Sequence, residues 1–259
     1  MNPDKLAVQM YTVRDFAKTA SDLVDTLKKI SDIGYTAVQV SAVSAMAGDT
    51  PEVDAVQMRQ MLDDNGLSCI ATHRNLDDLL NKVDQEIEFH QTLGCNYAAF
   101  GGIGDTNPVT YRQFIANASK VIPQYKAAGI RFGHHNHSHE FTRTAEGISL
   151  EDILIDEGGR DLMLELDLYW IEHAGLNCVR ILERCHGRVP VIHLKDKEVV
   201  DGDGPVMAPI GEGNMDWDSI IPACEAAGVR WYGIEQDTCR RDPFDCLKSS
   251  YDFLRGKGL

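Results

Sequence analysis

The chain has 259 residues, with 25 Lys+Arg against 40 Asp+Glu, and its formal charge of −15 disfavours nucleic acid and other polyanions as partners. A hydrophobic share of 43% beside 25% charged residues is that of an ordinary globular protein and excludes a disordered, collagenous or coiled-coil chain. No stretch is long and apolar enough to span a bilayer, so no membrane partner is expected, and Asp4, Lys5, Arg14 and Asp15 interrupt any apolar leader. Seven scattered cysteines without a C-x-x-C pair read as reduced thiols of a cytoplasmic protein, several of them buried.

One phrase recurs along the chain: an amphipathic stretch, a glycine, then a short apolar run. It occurs at Gly34, Gly66, Gly94, Gly129 and Gly228, with weaker instances at Gly159 and Gly187. Glycine just past a helix supplies a left-handed cap, and a bounded apolar run reads as a buried parallel strand. The spacing predicts strands over Leu6 to Met10, Ala37 to Val40, Ser68 to Thr72, Tyr97 to Phe100, Arg131 to His135, Leu162 to Asp167, Pro190 to His193 and Trp231 to Glu235. Helical patterns lie between them, such as Ser21 to Ile33 with its Leu23, Leu27 and Ile30 stripe, and Pro51 to Asn65, read as opening on a proline. Eight near-equal units without a polar linker predict an α/β protein, a single (β/α)8 TIM barrel domain spanning residues 1–259. No glycine-rich phosphate fingerprint follows the first strand, which argues against a Rossmann fold.

Barrel active sites lie at the C-terminal ends of strands. The first strand ends at Gln9 and Tyr11, the third runs into His73, and the fifth into the run from His134 to Glu140. The last three end on Asp167, His193 and Glu235. A carboxylate or imidazole closing an apolar strand needs a cation or hydrogen bonds to compensate it. Glu140, Asp167, His193 and Glu235 together make a mostly oxygen donor set suited to Mn²⁺, Mg²⁺ or Co²⁺, with Zn²⁺ admissible. Each has a plain alternative: Asp167 as a helix cap, His193 as a satisfied core histidine, Glu235 as a partner of Arg240 or Lys195. In an extended run, His135, His137 and His139 point one way and His134, Asn136, Ser138 and Glu140 the other. The run therefore divides between a metal ligand and supporting histidines, unless it is a surface polar loop. Glu140 and Glu235 on roughly opposite walls invite an acid/base pairing across a cation. Lys195 alternates with His193 towards a substrate or is a surface lysine, and the glycine-bearing stretch from Asp201 to Asn214 is a mobile cover or sugar-contacting loop, or else a plain connector.

The segments LAVQMYTVRD, FGHHNHSHEF, LELDLYW, VIHLKD, PIGEGNMDW and WYGIEQD, in this order over nearly the whole chain, resemble the xylose isomerase-like TIM barrels, in particular the sugar phosphate isomerase/epimerase group. The resemblance implies one divalent metal ion held by a Glu, an Asp, a His and a Glu after strands five to eight, which here are Glu140, Asp167, His193 and Glu235. Many members carry the first glutamate at the end of strand five, where this chain has His135, so either residue is a candidate ligand there. A sugar isomerase or epimerase working through an enediolate is expected, with Glu140 and Glu235 catalytic and His73, His135, His137 and Lys195 binding a small-molecule sugar or keto-sugar. A lyase or dehydratase on a keto-sugar or inosose is the alternative, and a non-catalytic sugar-binding barrel a third. The group's DNA-repair endonuclease branch uses a basic groove, which a charge of −15 argues against. Related barrels often pair, so a homo-oligomer is an open option.

Overall fold

The computed structural model describes residues 5–259; Met1 to Asp4, including one of the charges read against a leader, lie outside it. Eight parallel strands close into a barrel: β1 (Leu6–Gln9), β2 (Ala37–Val40), β3 (Ser68–His73), β4 (Tyr97–Phe100), β5 (Arg131–His135), β6 (Leu162–Asp167), β7 (Val191–Leu194) and, beyond an inserted hairpin of β8 (Asp196–Val200) and β9 (Gly204–Ala208), β10 (Trp231–Ile234). Each strand pairs with its neighbour in chain order apart from the hairpin, and β10 returns to β1 through Leu6, Ala7 and Val8. Around them run α1 (Ala20–Ile33), α2 (Ala55–Asp64), α3 (Leu76–Asn81), α4 (Val83–Leu93), α5 (Pro108–Ala127), α6 (Leu150–Glu157), α7 (Leu168–His173), α8 (Cys178–Arg184), α9 (Trp217–Ala227) and α10 (Pro243–Gly256).

Strand alternation sorts the side chains. Leu6, Val8, Val38, Phe132, Leu164, Leu166 and Ile192 face the helices and join one large core, whereas Ala7, Ala37, Ala71, Tyr97, Ala99 and Val191 fill the barrel's lower interior. Small residues there leave room for a few large ones: Gly133 has no side chain because a Cβ would lie 2.1 Å from the Tyr97 hydroxyl. Continuing the same inward parity upward places Gln39, His73, His135, Glu165, His193 and Glu235 above this apolar floor.

The seven repeat glycines all have positive φ, from +65° to +118°, so the recurring phrase does mark the helix-to-strand joints. At Gly34 the requirement is double, because a Cβ would also meet the Tyr251 ring. Helix α2 begins later than its proline suggested. Asp54 caps it, accepting from Gln57 N while the Gln57 side chain accepts from Asp54 N, and Pro51 stands outside in the preceding loop. The longest step of the repeat, Gly187 to Gly228, holds the β8–β9 hairpin. All seven cysteines are free thiols, and no helix among the described residues is long and apolar enough to cross a membrane.

Candidate active site

Strands β6, β7 and β10 bring three side chains together at the top of the barrel. One donor atom from each of Asp167, His193 and Glu235 lies within 4.8 Å of the others; His193 and Asp167 are fully buried and Glu235 nearly so. His193 Nδ1 is 2.8 Å from Glu235 Oε2 and 3.9 Å from Asp167 Oδ2. None of these three atoms makes an aligned hydrogen bond among the described residues. Lys195, whose side chain is also buried, comes to 2.9 Å from Asp167 Oδ2 and 3.0 Å from Glu235 Oε2, but its aligned hydrogen bond goes to Asp237 Oδ1 at 2.7 Å. Burial opposes the ammonium, yet Asp167, Glu235 and Asp237 hold its pKa well above the usual lysine value. Burial pushes Asp167 up to about 6 in spite of Lys195. In Glu235 burial is outweighed by Lys195 and His193, which lower its pKa. His193, penalised by burial, is raised to about 8 by Glu165 and Glu235.

The donor set fits a divalent cation. Buried lone pairs that face one another without hydrogen bonds are costly unless a positive charge stands among them. Lys195 supplies one positive charge against the three carboxylates Asp167, Glu235 and Asp237.

Just below lies a second polar layer. Glu165, fully buried, accepts from His73 Nε2 at 2.5 Å and from Gln39 Nε2 at 3.0 and 3.2 Å. Its Oε2 also stands 3.7 Å from His135 Nδ1 and 3.5 Å from His193 Nε2. Burial disfavours the Glu165 charge, but His193, His73 and the bond from Gln39 overcome it and leave the pKa below the ordinary carboxylate value. His135 is held neutral by burial and by the neighbouring histidines His193 and His73.

Above the rim is a cavity of about 320 Å³ bounded by His73, His135, His137, Lys195, Glu235 and Asp237, among others. It adjoins a second cavity of about 420 Å³, and Ala42, at φ +55°, lines both. Burial lowers His137 to about 4, so the ring facing the cavity is neutral near pH 7.

Glu140 takes a different place from the other three candidate ligands. The extended run ends at His135, and His139–Phe141 turn as a 3-10 helix, so simple alternation does not continue through the segment. Glu140 Oε2 accepts from His137 N at 2.8 Å, and Oε1 stands 2.9 Å from His139 Nε2 and 3.5 Å from His134 Nε2. Its donor atoms group with His137 and His139, apart from Asp167, His193 and Glu235. The strand-five side chain near that trio is His135, whose Nε2 is 4.0 Å from Asp167 Oδ2.

The plain alternatives each hold in part. Asp167 does cap α7, Oδ1 accepting from Trp170 N at 3.2 Å, but Oδ2 is left over. His193 is satisfied at Nε2 and not at Nδ1. Glu235 meets Lys195, while Arg240 pairs with Glu198. Lys195 is not a surface lysine. Sequence reasoning missed Gln39, Glu165 and Asp237. The signal was parity: Glu165 stands two before Asp167 on β6, and Asp237 two beyond Glu235 just past the end of β10.

A family model described as xylose isomerase-like TIM barrel matches residues 27–256. The chain belongs to that family. Among solved structures, a sugar phosphate isomerase/epimerase from Parabacteroides distasonis ATCC 8503 is 22% identical, with a TM-score of 0.80 over 97% of this chain and 94% of that one. An L-ribulose 3-epimerase is 17% identical, at TM-score 0.73 over 98% and 94%. The probable 3-DHS dehydratase involved in petrobactin synthesis from Bacillus anthracis is 15% identical, at 0.73 over 97% and 98%. A search of curated proteins finds no match. At these identities the structures establish the shared barrel and no particular reaction.

Proposed function

We propose that this protein is a divalent-metal-dependent isomerase or epimerase of a small sugar or keto-sugar, removing and returning a proton at the carbon beside a carbonyl. The observation that carries this reading is the trio of buried donor atoms, Asp167 Oδ2, His193 Nδ1 and Glu235 Oε2, gathered at the barrel mouth without an aligned hydrogen bond among the described residues. Two carboxylates and an imidazole suit Mn²⁺, Mg²⁺ or Co²⁺, and admit Zn²⁺. Bound there, such an ion would polarise a substrate carbonyl and acidify the neighbouring C–H bond. Asp167, His193 and Glu235 would hold it, with His135 the strand-five candidate beside them. Glu140 then acts through the loop, fixing the backbone N–H of His137. Glu235 presents a carboxylate on one wall of the cavity and neutral His137 an imidazole on another, and these two would be the proton-exchanging groups for a substrate carbon held between them. Lys195, anchored on Asp237, faces the same cavity and orients substrate oxygens, as does His73.

A lyase on a keto-sugar or inosose would use the same donors, with the positive charge of Lys195 steadying the departing oxygen; the ammonium on the cavity wall favours it as the second reading. Two measurements test the proposal. Mn²⁺ or Co²⁺ at about 100 times its Kd should stabilise the fold by about 2.7 kcal/mol, and purified protein with neither bound metal nor any metal-dependent shift in melting temperature would remove the metal from the proposal. Metal-replete protein incubated in D₂O with ketoses, inososes and 3-keto-glucosides should place deuterium next to the carbonyl without loss of water. Elimination would favour the lyase, and neither exchange nor product with any of them would leave a sugar-binding barrel.

A further inference from the structure

Gln39 lies inside the barrel on β2, with no exposed surface. Its Nε2 is 3.0 and 3.2 Å from the two Glu165 oxygens, and its Oε1 is 2.8 Å from His193 Nε2. An ionised carboxylate only accepts, so the amide must turn its NH₂ towards Glu165. His193 Nε2 then meets a carbonyl oxygen, which can only accept, and must itself carry the proton. That leaves the lone pair of the neutral ring on Nδ1, the nitrogen 2.8 Å from Glu235 Oε2 and 3.9 Å from Asp167 Oδ2. Glu165 is held in turn by His73. The packing is close: a Cβ on Gly233 would come to 3.1 Å from His193 Cδ2 and 3.5 Å from Gln39 Oε1.

We propose that Gln39, oriented by Glu165, is a positioning residue that locks the neutral His193 ring in its Nε2–H tautomer and so presents Nδ1 as a donor towards Asp167 and Glu235. The use of that donor for a metal rests on the function proposed above, whereas the lock itself does not. A hydrogen bond at the far nitrogen of a ligating histidine sets the tautomer and ring orientation, and its loss typically weakens metal binding 10- to 100-fold.

The lock is read directly in metal-free protein labelled with ¹⁵N-histidine, on the alkaline side of the ring's titration, where long-range ¹H–¹⁵N spectra distinguish the protonated nitrogen from the bare one. The His193 signals are assigned by their absence from His193→Asn. Wild type should show Nε2–H. Gln39→Met, of similar volume without the amide, and Glu165→Gln, which frees the Gln39 amide to flip, should both shift His193 towards Nδ1–H or a mixture. Gln39→Met should also raise the Mn²⁺ Kd by about 10- to 100-fold, and should add no further rise in a His193→Asn background, where the ring it positions is gone. Nδ1–H in the wild type, or Nε2–H kept in full by both folded variants, overturns the lock. Wild type that shows Nε2–H yet binds no Mn²⁺ leaves the lock standing and removes the metal from the proposed function.

Discussion

At Lys195 a single ammonium, with 1% of its side chain exposed, faces Asp167, Glu235 and Asp237 at 2.9, 3.0 and 2.7 Å. Replacing it by methionine keeps most of the volume and leaves three carboxylates without that cation. Breaking a buried ion pair from one side costs about 3–5 kcal/mol, so Lys195→Met should lose stability of that order in urea denaturation of the metal-free protein. Saturating Mn²⁺ should return more stability to the variant than to wild type, because it restores positive charge beside Asp167 and Glu235. A metal-free variant as stable as wild type would mean that the ammonium is not the counter-charge. Glu235→Gln separates shape from charge at the same rim. It keeps an oxygen and loses the basic carboxylate, so turnover should fall by about 10² or more. Near-normal turnover with metal retained would move the proton to His137.

The β8–β9 hairpin and its following loop show how one buried side chain builds an element. Asp196, fully buried, accepts from Lys197 N, Gly211 N, Gly213 N and Met215 N and from Trp217 Nε1. It thereby ties the hairpin to the loop and to the start of α9. A Cβ on Gly213 would lie 2.3 Å from Asp196 Oδ1, and one on Gly211 would run into the Phe253 ring. Those two glycines are there for close approach, and the stretch from Asp201 to Asn214 is tied down by a buried carboxylate and is more than a plain connector. Asp196→Asn turns an acceptor oxygen into a donor facing N–H groups. Hydrogen bonds to charged groups contribute about 1.5–3 kcal/mol each, so the variant should lose at least about 2 kcal/mol in chemical denaturation. A loss below about 0.5 kcal/mol, the scale of ordinary surface substitutions, would show that the loop holds itself.

Across the whole molecule, the pH dependence of stability includes a contribution from Glu151, buried on α6, 3.9 Å from His134 of β5. Burial raises its pKa from 4.5 to about 7, His134 opposing. The folded state therefore holds the proton more tightly than the unfolded chain. The corresponding stability is complete below pH 4.5 and is lost as the pH rises through about 7. Glu151→Gln is neutral throughout, so its unfolding free energy should fall less steeply across that window than the wild type's. Parallel slopes in urea titrations on either side of the window would show that Glu151 titrates alike in both states.

Much of this protein was legible in the order of its residues. The left-handed glycines and the apolar runs after them marked eight strands almost to the residue, because helix caps and buried strands are local requirements. Strand ends likewise pointed to Asp167, His193 and Glu235, since a charge closing an apolar run must find compensation. Inward parity would also have indicated Gln39, Glu165 and Asp237. Which of these meet was not legible. Gln39 finds Glu165 across 126 positions of sequence and His193 across 154, and the closure and stagger of the barrel set those encounters. Glu140 joins His137 and His139 because the chain leaves β5 in a turn after His135, a bend that alternation cannot foresee. Alternation determines the side of the sheet a residue faces, whereas the curvature of the closed sheet decides which nitrogen meets which oxygen.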